Sequence, residues 1–130
     1  MKKTHLLLFP LSLAIFSCSD DEKKPIDTLA PGIDITSPSP DSMYTSGQLI
    51  PIEAMISDYD KIKAVNVSIT HDSIPGGGIY FDYEPMMGVF YVDTAVAITV
   101  ADHADYLLKI EAEDVTGNKQ SKTRNIHIMP

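Results

Sequence analysis

The chain of 130 residues has a single cysteine, no tryptophan, and only 10 lysines and arginines set against 18 aspartates and glutamates. A lone Cys can close no internal disulfide and build no Cys-rich zinc site, so neither staple is available to the fold. With a formal charge of −8, the sequence lacks the clustered Lys and Arg that grip a phosphate backbone, which argues against nucleic-acid binding. It also lacks any apolar run near the ~20 residues that a membrane-crossing helix requires. Beyond the leader no helical stripe of useful length appears, and the length is that of one domain, which excludes a multidomain enzyme.

What is present begins with Met1-Lys2-Lys3-Thr4-His5, a short basic stretch, followed by the apolar run Leu6 to Phe16, broken only by Pro10 and Ser12. This reads as a secretory signal over residues 1–17, too short to span a bilayer. The run ends at Ile15-Phe16-Ser17-Cys18, which resembles the lipobox of bacterial lipoproteins. The resemblance implies cleavage after Ser17 and acylation of Cys18, which anchors the chain to outer-membrane lipid without inserting it. Loss of Lys2 and Lys3 with the signal takes the side-chain charge from −8 to −10, ill suited to an anionic lipid surface. Ser19-Asp20-Asp21-Glu22-Lys23-Lys24-Pro25 is too charged to bury much surface, so residues 18–30 read as a flexible tether. Its acidic cluster resembles the surface-export signal of Bacteroidota lipoproteins, which implies the cell surface; the alternative is a plain solvated linker on the periplasmic face.

From Ile33 onward apolar residues alternate. Ile50, Ile52, Ala54 and Ile56 are interleaved with Pro51, Glu53, Met55 and Ser57, and Val65, Val67 and Ile69 with Asn66, Ser68 and Thr70. Leu108, Ile110 and Ala112 repeat the pattern, and period two means half-buried strands. Turn-forming residues separate them, as at Ser37-Pro38-Ser39-Pro40-Asp41, Asp58-Tyr59-Asp60, and Thr116-Gly117-Asn118. The spacing predicts strands near 32–36, 48–57, 63–71, 78–84, 88–100 with a break near Thr94, 105–113 and 122–129, with Pro51 marking a local edge or bulge. The result is an all-β fold, a single antiparallel sandwich of about seven strands over residues 31–130.

Asp102-His103-Ala104-Asp105-Tyr106-Leu107-Leu108 resembles the approach to strand F of immunoglobulin-like domains. The likeness implies that Tyr106 is a structural tyrosine corner with its hydroxyl bonded to backbone, and that Leu108 stands where antibody domains carry Cys. Ile110 to Asn118 resembles the strand F, turn and strand G passage of bacterial immunoglobulin-like and fibronectin-like modules. With its leader, the chain is similar to short Bacteroidota surface lipoproteins of unknown function.

Three groups of residues are candidates for chemistry. Asp58 and Asp60 follow the second predicted strand, Asp114 and Asn118 precede the last, and in an immunoglobulin-like sandwich these loops share one end. Three carboxylates and a carboxamide there suit Ca²⁺, which takes six to eight oxygens; alternatively each bonds its own turn. Tyr80, Phe81, Tyr83, Phe90 and Tyr91 form an aromatic, hairpin-like stretch. Within it Tyr80, Asp82, Tyr83 and Tyr91 are candidates to contact sugar or protein, the alternative being cross-strand packing. Four triplets that begin at Asp27, Asp41, Asp72 and Asp93 resemble the O-glycosylation pattern of exported Bacteroidota proteins, which implies modification at Thr28, Ser42, Ser73 or Thr94.

Other features carry no chemistry. Gly76-Gly77-Gly78 lacks the Lys and the helix of a phosphate loop. His71, His103 and His127 stand in no nucleophile or zinc frame and are expected as loop-edge or outward strand residues, so no catalytic residue is assigned. The sequence therefore points to a non-enzymatic, outer-membrane-anchored surface lipoprotein that acts as a protein- or glycan-binding module, with no cofactor beyond Ca²⁺. The alternative is a structural accessory subunit of a larger outer-membrane assembly, paired through an edge strand.

Overall fold

The computed structural model describes residues 23–71, 73 and 77–130. Its strands are β1 (Gly32–Ser37), β2 (Ser42–Thr45), β3 (Leu49–Thr70), β4 (Gly78–Tyr83), β5 (Met87–Ala97), β6 (Ala104–Asp114) and β7 (Lys119–Met129). The described residues contain no helix, and the fold is all-β, as the alternation predicts.

Strand β3 organises the molecule. Its first half lies between β1 and β5, and its second half between β4 and β6. β7 continues antiparallel from β6, and β2 runs parallel along the far edge of β7. One hydrogen-bonded sheet thus curls on itself through β3, with β1–β3–β5 forming one layer and β4–β3–β6–β7–β2 the other. Ile50, Ile52, Ile56, Val65, Val67, Ile69, Leu108, Ile110, Ile126 and Ile128 fill the interior at 1% exposure or less. β-Branched side chains dominate because they pack well on a pleated surface.

The corner in β3 has a local cause. The Asp58 Oδ1 atom accepts the N–H of Asp60 at 2.9 Å, a turn bond that competes with the ladder, and pairing with β5 slips between Ser57 and Ile62. On the other side Ile62 faces Asp114 while Ala64 faces Glu113, two steps against one. That bulge moves the buried positions from Ile50–Ile56 parity to Val65–Ile69 parity, which keeps both halves of one strand facing the same core.

Three expectations need correction. The segments expected as separate strands, 48–57 and 63–71, are one continuous strand around this corner. β5 has no break near Thr94, which pairs with Ile52, and it ends at Ala97 rather than at residue 100. The short β2 was not expected, because four residues between prolines and Gly47 show no pattern and owe their extension to β7. Pro51 stands as expected of a local edge: β1 pairs no further than Glu53, so the missing N–H faces no ladder partner there.

Candidate functional site

The β3 corner and the β6–β7 turn meet at one end, where Val115 N donates to Lys61 O at 3.0 Å. Gly117 closes that turn with φ near +94°, a conformation other residues rarely adopt. Within it Asp114 is fully buried. Its carboxylate accepts from the N–H and hydroxyl of Thr116 at 2.8 and 2.7 Å, and from the N–H and amide of Asn118 at 2.9 and 2.7 Å. Burial alone would raise the Asp114 pKa, but these donors prevail and hold it down at about 2.

Asp58 and Asp114 converge as the sequence predicts, but the third carboxylate is Asp27. Ligand oxygens of Asp27, Asp58 and Asp114 all lie within 4.8 Å of one another. Asp60 turns aside to Lys24 at 3.6 Å. Asn118 takes part through its Nδ2 group, which reaches the carbonyls of Asp27 and Leu29 at 3.2 Å each and so holds the end of the entering segment. Desolvation first, and then the charges of Asp114, Asp27 and Asp60, raise the pKa of Asp58 against the lowering bond from Asp60 N–H. The Asp27 Oδ2 atom is shielded from solvent and has no hydrogen-bond partner among the described residues. No local pattern marks Asp27 as a member of this cluster, since its place depends on how the entering segment folds back.

The aromatic stretch is not a hairpin. β4 pairs with the second half of β3 and β5 with the first, so Tyr80 and Tyr91 belong to different layers. Tyr80 is exposed on β4, Asp82 accepts from the Asn66 amide beside it, and Tyr83 stacks at a tilt on Phe90 with centroids 5.2 Å apart. Tyr91 is 66% exposed on the outside of the β1–β3–β5 layer. Its cross-strand partner is Met55, and Met55 in turn pairs with Asp34. The next row sets Glu53 directly opposite Asp93. These residues, with Thr36, line a shallow groove of about 440 Å³.

In this groove Asp34 bridges Lys122 at 3.7 Å, but the Glu53–Asp93 row is electrostatically unlike the β6 face. There Lys109 bridges Glu111 at 2.8 Å, and Lys63 and Lys119 each bridge Glu113 at 3.2 Å, which lowers both carboxyl pKa values. Among the described residues neither Glu53 nor Asp93 has an ion-pair partner. Sequence alternation marks Glu53 and Met55 as outward, but their conjunction with Asp93 and Tyr91 requires the register.

The remaining candidates are scattered. Thr28 and Ser73 are exposed, Ser42 opens β2 with its hydroxyl donating to Ser39 O, and Thr94 lies half-buried inside β5. Tyr106 is half-buried and packs its ring on His71 at 5.1 Å, and its hydroxyl makes no hydrogen bond among the described residues. His103 and His127, expected as a loop-edge and an outward strand residue, both reach Asp105. Cys18 and the leader lie outside the described residues.

No curated protein matches the chain. Among solved structures it is similar in fold to a superoxide reductase (neelaredoxin) from Ignicoccus hospitalis, with a TM-score of 0.53 and 8% identity over 77% of this chain and 80% of that one. A variant of the same reductase gives a TM-score of 0.51 and 9% identity over 76% and 79%. At such identities the likeness is one of fold alone. A family model matches residues 16–129, nearly the whole sequence, and the chain therefore belongs to the family described as Domain of unknown function (DUF4625).

Proposed function

We propose that this protein is a non-enzymatic binding module, anchored at the outer membrane through an acylated Cys18 and displayed at the cell surface, whose β1–β3–β5 face docks a protein partner bearing basic side chains. The observation that carries this reading is the opposition of Glu53 and Asp93, neither with an ion-pair partner among the described residues, beside exposed Tyr91 and Met55. Like charges directly across strands weaken a sheet, so the pair works against the fold unless a cation meets it. An Arg or Lys from a partner removes that repulsion. Tyr91 offers the same cation a ring face, and Met55 gives an adaptable apolar contact. The side-chain charge of −10 left after loss of Lys2 and Lys3 also steers basic partners inward. The same face serves whether the partner is free or part of a larger outer-membrane assembly, in which case the chain is its accessory subunit.

The test is cross-linking on intact cells with a membrane-impermeant reagent. A single partner is expected, with a yield that falls about tenfold for Tyr91→Ala and for Glu53→Lys, on the scale of an interface anchor. Tyr80→Ala, on the other layer, leaves the yield unchanged. A yield that follows Tyr80 and ignores Tyr91 defeats the proposal.

We also read Asp27, Asp58 and Asp114 as ligands of one Ca²⁺, which ties the entering segment to the sandwich end. The shielded Asp27 Oδ2, which has no partner among the described residues, supports this, since a hard cation can satisfy such an oxygen. A ligand held only by the folded state raises its stability. Chelator therefore lowers the melting temperature of the natural protein, and Asp58→Asn makes it insensitive to chelator. Equal melting curves with and without Ca²⁺ dismiss the ion.

A further inference from the structure

We infer that His103, Asp105 and His127 form a second, chemically different metal site, for a divalent first-row transition ion of the zinc or copper type. Two strands set two of the ligands. Asp105 on β6 and His127 on β7 are register partners, so their side chains stand as neighbours on one face. His103 lies two residues before Asp105, and alternation along the chain returns it to that same face.

The side chains are already gathered. His127 Nδ1 lies 2.6 Å, and His103 Nε2 3.3 Å, from the same Oδ1 of Asp105. The two imidazoles are nearly parallel, with planes 13° apart and centroids separated by 6.1 Å. All three ligating atoms fall within 4.8 Å of one another. Ligands at zinc-type bond lengths of ~2.0–2.1 Å in a tetrahedron stand roughly 3.3 Å apart, so side-chain movements of about an ångström seat an ion between the rings and the carboxylate.

The donor set decides the class of ion. Two imidazoles and one carboxylate suit Zn²⁺, Cu²⁺ or Ni²⁺, whereas Ca²⁺ prefers oxygen alone. Three protein ligands leave coordination open, and the site faces solvent, with side-chain exposures of 51% for His103, 64% for Asp105 and 31% for His127. A water or a donor group from a bound molecule completes it. The site is also remote from the carboxylate end. Asp105 and Asp114 lie near opposite ends of β6, about 30 Å apart at the rise of an extended strand.

The test is Zn²⁺ titration of the full chain by calorimetry, with Co²⁺ as a spectroscopic substitute. One saturable equivalent is expected, with visible Co²⁺ bands of nitrogen and oxygen ligation and no near-ultraviolet thiolate band. His127→Ala and His103→Gln each weaken uptake at least tenfold, and Asp58→Asn leaves it unchanged. His103 precedes β6, so its replacement spares every strand, and an unaltered melting temperature verifies that the variant is folded. Absence of saturable uptake, a thiolate band that assigns the ion to Cys18, or full affinity in both histidine variants overturns the site.

Discussion

Asp114 is a fully buried charge, and its ionisation depends on four donors from two residues of its own turn. Its carboxyl titrates at about 2 in the fold against 3.8 in the reference state. A pKa lowered by folding gives stability that is complete above 3.8 and lost as pH falls through about 2. Asp58 has the opposite sign: its raised pKa favours the fold in acid and opposes it once the carboxyl ionises. The wild-type acid profile sums the two, so it must be read against a variant. Asp114→Asn is expected to cost on the order of 2–3 kcal/mol at neutral pH, because an amide cannot accept all four donors and brings an N–H₂ of its own. Urea melts in chelator from pH 7 to pH 2 check this free of the proposed Ca²⁺: the gap between wild type and variant closes between pH 4 and pH 2. A constant gap assigns the cost to shape rather than to charge.

At the scale of the element, β3 determines what could and could not be read from the sequence. Its two buried runs are plain in the sequence because alternation is local, and so are the positions of β4, β6 and β7. The corner reads as a loop, since Asp58-Tyr59-Asp60 has the composition of a turn, and only the partners on either side keep the chain extended through it. Convergence of Asp58 with Asp114 was legible for the same reason, as each marks a turn at one end of a sandwich. The Glu53–Asp93 opposition, the separation of Tyr80 from Tyr91, and the meeting of His103 with His127 were not. Each depends on which strand lies beside which, and in what register, which no single segment encodes. The corner also explains Gly88 in β5, where an added Cβ would stand 3.3 Å from Asp58 O and 3.4 Å from Asp60 O. The neighbouring backbone cannot swing away like a flexible side chain. Gly88→Val is therefore expected to lose about 1–3 kcal/mol through overpacking, seen as a lower urea midpoint with an unchanged m-value. A midpoint equal to wild type shows that the corner yields.

For the whole molecule, direction matters more than any single site. Asn118 holds the carbonyls of Asp27 and Leu29 against the β6–β7 turn, so the chain enters the sandwich at the carboxylate end. On the anchoring proposed above, residues 19–26 separate an acylated Cys18 from that end in sequence. On that proposal the start of β6, with His103 and Asp105, would point away from the membrane, and the Tyr91 face would lie along the side. Such an arrangement would keep an acidic surface clear of anionic lipid, which would repel it. That geometry would hang entirely on the proposed anchor at Cys18, which lies outside the described residues. Cys18→Ser is accordingly expected to abolish incorporation of labelled palmitate and to release the protein from the membrane fraction, while the melting temperature of the sandwich is unchanged. Complete release is expected because, on this proposal, the acyl chains would supply the binding, at ~0.8 kcal/mol for each buried methylene. A Cys18→Ser protein that still sediments with membranes is held by its partner instead, and combining it with Tyr91→Ala decides between the two: loss of sedimentation in the double variant assigns the residual attachment to the β1–β3–β5 face.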